Sequence, residues 1–151
     1  MGFRAKEAAA PMDWLDEAQN RVAAQQAAAY ALRQKVEQAS KPPDGLVKRR
    51  LLQLSQVAWP QAGVWNRPTG HNYGNHYAWT VEEPRSSVGL PAYHFFVVTL
   101  WLTEHDTPEF RVPLSPDATP EPADTAPTTG EGLLELLKRY KERGPHFSSR
   151  L

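Results

Sequence analysis

The first hydrophobic pattern along the chain is a stripe of small and apolar side chains spaced alternately three and four residues apart. This spacing keeps the stripe on one side of an α-helix over about three heptads. Asp13 and Asp16 favour a helix start, where backbone N–H groups lack partners, and Pro42 with Pro43 ends the helix. We therefore predict a long alanine-rich helical arm within residues 1–40. Its seam is formed by Leu15, Ala18, Val22, Gln25, Ala29, Leu32 and Val36.

This predicted arm is longer than a domain of this size needs, because a helix of its length spans about 40 Å at 1.5 Å per residue. Alanines on the seam allow two helix axes to approach closely, and Gln25 would be a buried polar group that can fix the register of a dimer. We expect the seam to bind a second copy of the chain or a helical partner protein. The alternative is that it packs on the chain's own sheet.

A second helix is predicted over residues 44–57, because Val47, Leu51 and Leu54 recur on one face. Strands are predicted at residues 77–81, 93–103 and 110–114 from alternating or continuous apolar runs. The last two form a hairpin in which Leu100 faces Val112, since this register places their apolar faces on the same side.

The remaining pattern is a polar stretch followed by a third helix. Residues 115–130 contain four prolines and no aromatic or basic side chain, and are predicted to be a mobile acidic loop. A C-terminal helix is predicted over residues 131–143, with Thr128 and Glu131 as its capping box. The order of elements predicts a single α+β domain over residues 1–151, in which a three- to four-stranded antiparallel sheet is packed by helices. Its parts are the arm (1–40), a helix plus sheet (44–114), the loop (115–130) and the last helix (131–143).

Composition narrows the class of protein. With 151 residues and 17.0 kDa the chain supplies one core. The absence of cysteine excludes a disulfide framework, a thiol nucleophile and a thiolate zinc site. A balance of 17 basic and 17 acidic residues argues against a globally basic nucleic-acid-binding protein. No apolar run reaches the roughly 20 residues that cross a bilayer, so we expect a soluble, cytoplasmic protein. No cofactor and no metal is indicated.

The most unusual segment runs from Trp65 to Tyr77 and combines rings, amides and glycines. Glycines let a backbone approach a ligand, while rings and amides supply flat surfaces and hydrogen bonds. Alternatively, the rings pin a loop onto the sheet and the Asn and Gly residues form turns. The candidate ligand or nucleic-acid surface comprises Arg49, Arg50, Trp65, Arg67, His71, Asn72, Tyr73, His76, Tyr77 and Trp79.

Single-stranded nucleic-acid binding is one alternative function for this surface. Bases stack on aromatic rings for about 1–3 kcal/mol each while basic side chains follow the phosphates. The neutral total charge weakens long-range attraction to a polyanion.

A hydrolase or metal enzyme centred on His71, His76 and His94 is the other alternative. His76 and His94 become cross-strand neighbours if their strands pair. However, the chain contains no His-Glu-x-x-His run, phosphate loop or nucleophile elbow. The preferred hypothesis is therefore a non-catalytic interaction module that acts through the seam.

Overall fold

Three helices and an antiparallel sheet make up the described part of the chain in a computed structural model. The described residues are 13–60, 64–83, 93–112, 124–143 and 149–150. The helices are α1 (Trp14–Ser40), α2 (Asp44–Ala58) and α3 (Gly130–Arg143). The strands are β1 (Thr69–Asn72), β2 (His76–Glu82), β3 (Tyr93–Leu102), β4 (Pro108–Arg111), β5 (Thr125–Pro127) and β6 (Ser149–Arg150).

The sheet is an antiparallel meander in which β1 to β5 lie in chain order, and β6 pairs with the first two residues of β3. The α+β class with a long N-terminal helix is confirmed. The predicted number of three to four strands is too small, because the described sheet has five strands on its main path. Strands β1 and β5 were missed because they are only 4 and 3 residues long. Both contain Gly, Asn or Pro, which are depleted from strands, so pairing with a neighbour rather than local preference makes them extended.

The β3–β4 hairpin has a register two residues away from the predicted one. Leu100 pairs with Phe110 and not with Val112. The turn is short because the Thr103 N–H donates to the Thr107 carbonyl, and the Thr103 carbonyl accepts from the Asp106 N–H. A shift of two residues leaves every side chain on its predicted face, since strand side chains alternate with a period of two.

The hydrophobic core lies between one face of the sheet and helices α2 and α3. The apolar face of α2 is buried as predicted, and the Trp79 indole N–H of β2 donates to the carboxylate of Asp44 at the start of α2 at 2.9 Å. The central members of this core from the strands and α3 are Trp79, Val81, Phe96, Val98, Leu100, Phe110, Leu133, Leu136 and Tyr140.

Among the described residues, helix α1 packs on the sheet near its C-terminal end. Its buried residues are Val36 and Ser40. At the other end the Asp13 carboxylate accepts from the Asp16 N–H at 2.9 Å, so the predicted acidic start is an N-cap. The predicted arm is helical from Trp14 onward, and residues 1–12 lie outside the described residues.

The last part of the predicted acidic loop has regular structure. Residues Thr125–Pro127 form β5 by pairing with β4. The hydroxyl of Thr129 accepts from the Gly132 N–H at 3.0 Å, so the helix cap is Thr129 rather than the predicted Thr128. Residues 115–123 lie outside the described residues.

The same substitution on two helices distinguishes the core from the arm. We expect Leu51→Ala to lower the free energy of unfolding by about 2–5 kcal/mol, because Leu51 is fully buried and its truncation leaves a cavity. Leu15→Ala removes the same atoms from a side chain that is 59% exposed, so its cost is about 0.5 kcal/mol or less at protein concentrations where the chain is monomeric. Urea unfolding followed by circular dichroism measures both. Equal losses would contradict the division into a packed core and an exposed arm.

Candidate functional site

Helix α1 presents a long exposed surface. Every residue from Asp13 to Ala31 is exposed except Ala18, which is half-buried. Large apolar side chains stand in this stretch: Trp14 is 72% exposed and Tyr30 is 66% exposed. Apolar side chains mark an interaction surface when they are contiguous, so Trp14 and the seam side chains form the candidate surface, and Tyr30 lies on another side of the helix.

The predicted seam divides into an exposed part and a part that docks on the chain's own sheet. Four of its residues are exposed, two are half-buried and one is fully buried at the C-terminal end. In that order they are Leu15, Val22, Gln25 and Ala29, then Ala18 and Leu32, and finally Val36. Among the described residues, the chain's own packing therefore buries the seam fully at Val36 and leaves Ala18 and Leu32 half-buried.

The two ends of α1 differ in charge: the N-terminal end is acidic, and the C-terminal end holds Glu37 as well as two basic residues. The N-terminal end holds the carboxylates of Asp13, Asp16 and Glu17. Towards the other end stand Arg33 and Lys35, and the Lys35 ammonium lies 2.8 Å from the Asp106 carboxylate in the β3–β4 turn. Both partners of this ion pair are more than half exposed, so it contributes little to stability.

An open cleft of about 450 Å³ lies beside this ion pair, between the end of α1 and the β3–β4 hairpin. Most of its lining surface is apolar, although four of the six lining residues are polar or charged. It is lined by Gln34, Lys35, Gln38, Ala39, Leu102 and Asp106.

A row of rings crosses the sheet face opposite to the core. His76 stacks between Tyr73 and Trp101, with ring centroids 5.1 and 4.3 Å apart and planes within about 10°. His71 contacts Tyr73 by its edge at 4.5 Å. The ring row, defined as His71, Tyr73, His76 and Trp101, continues into the Arg111 guanidinium, which lies 5.1 Å from the Trp101 ring.

The rings of this row stack on one another, which limits what the surface can bind. His76 has rings on both faces, and Trp101 has His76 on one side and Arg111 close by. Arg111 is also paired with the Glu109 carboxylate, so its charge is already partnered. A base or other flat ligand would have to displace an existing contact before it could stack here. Sequence reasoning missed Trp101 and Arg111, although the cross-strand pair of His76 and Trp101 follows once the β2–β3 register is known.

Asn72 has a structural role at the predicted ligand surface. Its amide donates to the Arg33 carbonyl at 3.1 Å and to the Glu37 carboxylate at 3.0 Å, which ties the β1–β2 hairpin to α1. Its carbonyl accepts from the N–H of Gly74, which has a φ of +97°. The Asn and Gly residues thus form a turn, the alternative that the sequence left open at these positions.

Gly70 and Tyr77 are explained by a close approach within the sheet. A Cβ at Gly70 would lie 2.5 Å from the Tyr77 hydroxyl, so the missing side chain makes room for this ring. Burial and the nearby Asp44 and Glu37 carboxylates raise the pKa of Tyr77 above the ordinary tyrosine value. Gly70 is therefore explained by the close packing of the Tyr77 ring and not by a bound ligand.

The other members of the candidate surface do not converge. Trp65 and Trp79 lie in the core, 7% and 0% exposed, so neither ring is presented to a ligand. Arg49 and Arg67 are exposed, and Arg50 is half-buried and donates to the Gln53 side-chain carbonyl at 3.0 Å.

The histidine grouping predicted for a metal enzyme is not assembled. His76 pairs with Trp101 near one end of β3, whereas His94 pairs with Ser149 near the other, so the expectation that His76 and His94 are cross-strand neighbours is wrong. Seven residues of strand separate the two positions by roughly 23 Å. Within the described ranges, no group of three or more histidine or carboxylate side chains is placed to hold a metal ion. No helix there has the length and apolar character required to cross a membrane.

Comparison of the chain with protein-family models, with curated proteins and with solved structures finds no match. The fold therefore defines the class of this protein as an α+β protein with a long, largely exposed N-terminal helix.

Asn72→Ala tests the structural role of this side chain. We expect a loss of about 1–3 kcal/mol in the free energy of unfolding, because the partly buried groups on α1 and Gly74 lose their hydrogen-bond partner. Asn66→Ala, at an exposed position of the same segment, should cost less than about 0.5 kcal/mol. Chemical denaturation of both variants gives the comparison, and an equally small effect at Asn72 would argue against a role in attaching the hairpin to α1.

His76 should titrate below the ordinary histidine range. Burial in the ring row lowers its pKa, because the protonated imidazole loses hydration there. The folded state then binds fewer protons than the unfolded state. The contribution of neutral His76 to the free energy of unfolding is therefore complete above about pH 6.5 and declines as the pH falls below it. NMR titration of the imidazole should give a midpoint below the ordinary value, and His76→Gln should reduce the loss of stability between pH 7.5 and pH 5. A midpoint at or above the ordinary value would show that stacking on Trp101 and Tyr73 outweighs desolvation.

Proposed function

We propose that this chain is a non-catalytic interaction protein that associates with itself through the exposed part of the α1 seam. The observation that carries the proposal is the exposure of about five helical turns with apolar side chains, from Trp14 to Ala31, on a helix whose last turns dock on the sheet. The cytoplasmic site of action expected from the sequence is part of this proposal.

The energetics of α1 support such a role. A free helical stretch of this length is marginally stable in water, even with many alanines, because most helix stability in proteins comes from packing of an apolar side. A second helix on the seam would supply that packing. Small side chains allow a close approach, and Leu15 and Val22 supply apolar area that is now in contact with water.

The alternative functions have weaker support. A single-stranded nucleic-acid-binding protein needs ring faces open to bases, but Trp65 and Trp79 are buried and the rings of the row contact one another. A His-centred enzyme needs convergent side chains, and the backbone positions of His76 and His94 lie at opposite ends of β3.

Two alanine positions on α1 provide a matched test of self-association. Ala29 lies on the seam and Ala27 on the opposite side of the helix, and both are exposed in the single chain. We expect Ala29→Asp to weaken association by tenfold or more, about 1.4 kcal/mol, because it buries an unpaired charge between the two helices. Ala27→Asp introduces the same charge and the same change in helix propensity, and should associate like the unchanged protein.

Sedimentation velocity over a range of protein concentrations measures this association. The unchanged chain should move from 17.0 kDa towards twice that mass as the concentration rises. A chain that stays at the mass of one copy throughout, or equal behaviour of the two variants, would refute self-association through the seam.

A further inference from the structure

We infer that two copies of α1 pair antiparallel, and that Trp14 of each copy docks in the cleft between the end of α1 and the β3–β4 hairpin of the other. This inference rests on the proposed self-association and adds its geometry and its anchor. Three features of the described residues support it: the free length of the seam, the distribution of charge along α1, and the position of the cleft.

The free length of the seam favours antiparallel pairing. The seam side of α1 at Val36 is buried by the chain's own sheet. A parallel partner would bring its own Val36, and the sheet attached to it, to this same place. Two bodies of about 13 Å radius of gyration would then overlap, because paired helices lie only 8–10 Å apart. An antiparallel partner overlaps only the stretch from Leu15 to Leu32, which is the part that the sheet leaves largely open.

The sizes of the seam side chains agree with this overlap. With a two-fold axis between Ala23 and Ala24, each leucine at the end of the stretch meets a leucine, and each alanine meets an alanine. Val22 meets Gln25 near the axis. A two-fold interface requires such self-complementarity, because the same surface is used by both copies. The pairs are Leu15 with Leu32, Ala18 with Ala29, and Val22 with Gln25.

The charge pattern of α1 is compatible with the antiparallel arrangement. A parallel pair would bring the acidic ends of two helices together, with Asp13, Asp16 and Glu17 from each copy. The antiparallel pair instead places this acidic end level with the end of the other copy that holds Arg33 and Lys35 as well as Glu37. It also sets the two helix dipoles in opposite directions, which is electrostatically favourable.

The cleft gives Trp14 a binding place. In the antiparallel register Trp14 of one copy lies level with Arg33 of the other. Gln34 and Lys35, which line the cleft, are one and two residues further along that helix. Trp14 and Lys35 also fall on the same flank of the seam, so the indole is directed towards the cleft. The cleft is open to solvent and has a volume of about 450 Å³. Its apolar walls suit the ring, and the Lys35 ammonium at the rim can contact the ring face. Docking would bury a side chain that is 72% exposed in the single chain.

The absence of cysteine makes the orientation directly testable by disulfide cross-linking. In the antiparallel register, Ala18→Cys of one copy lies opposite Ala29→Cys of another, within the Cα separation of 4.4–6.8 Å that a disulfide requires. Two copies of Ala18→Cys lie about 16 Å apart along the axis and cannot be linked. We therefore expect a covalent dimer when the two variants are mixed and oxidised, and none with either variant alone. Covalent dimers of each variant alone would overturn the antiparallel arrangement but leave self-association intact. Failure of self-association itself would be seen in sedimentation of the cysteine-free chain.

Truncation of two exposed rings on the same helix tests the anchor. Trp14→Ala should weaken dimerisation at least tenfold in sedimentation velocity, because the cleft of the second copy loses its occupant. Tyr30→Ala removes a ring of similar exposure that lies away from the seam and the cleft, and should leave dimerisation unchanged. Circular dichroism confirms that both variants remain folded, as expected for exposed positions. Equal dimerisation of Trp14→Ala and the unchanged chain would overturn the docking of Trp14 in the cleft.

Discussion

The packing of α2 and α3 on one face of the sheet is the interaction on which the other features of this structure depend. Trp79 stands in this contact, fully buried, with its indole N–H held by Asp44 at the first residue of α2. On α3, Tyr140 packs against Phe96. Burial raises the pKa of its hydroxyl to about 12, so this side chain is neutral in the core. These two helices cover the core face, and among the described residues the last turns of α1 pack beside them while the preceding turns are exposed.

On the opposite face of the sheet, the large side chains pack against one another. No described helix packs there, yet the face carries His76, Trp101 and Arg111. These groups lie across neighbouring strands and contact one another, as stacked rings and as a cation beside a ring. The aromatic side chains of the segment from Trp65 to Tyr77 therefore pack within the protein. Some lie in the core on one face of the sheet, and others lie in the ring row on the opposite face. A concentration of aromatic residues in a sequence does not by itself separate these uses from a ligand site, because the same rings suit all three.

This one-sided packing leaves most of α1 exposed in the described part of the chain. Its backbone is favoured locally by alanine content and by the Asp13 cap, which explains why a helix can extend beyond the body that holds its other end. Local preference fixes the helix but gives its seam nothing to contact. A second copy of the chain is the partner that we propose for this seam.

Sequence patterns with a strong local cause were sufficient for much of the fold. The spacing of Val47, Leu51 and Leu54 determined the buried face of α2, and the apolar run in β3 determined a central strand. Only the tertiary structure decided which neighbours these elements meet. The short strands β1 and β5 exist because adjacent strands pair with them, and the tight turn at Asp106 set the β3–β4 register. The same holds for the candidate surfaces: the seam could be read from periodicity, because a helix repeats every 3.6 residues, but its exposure up to about Leu32 could not. The cleft and the ring row unite residues distant in the chain, and their proximity is a property of the packed sheet and not of any local pattern.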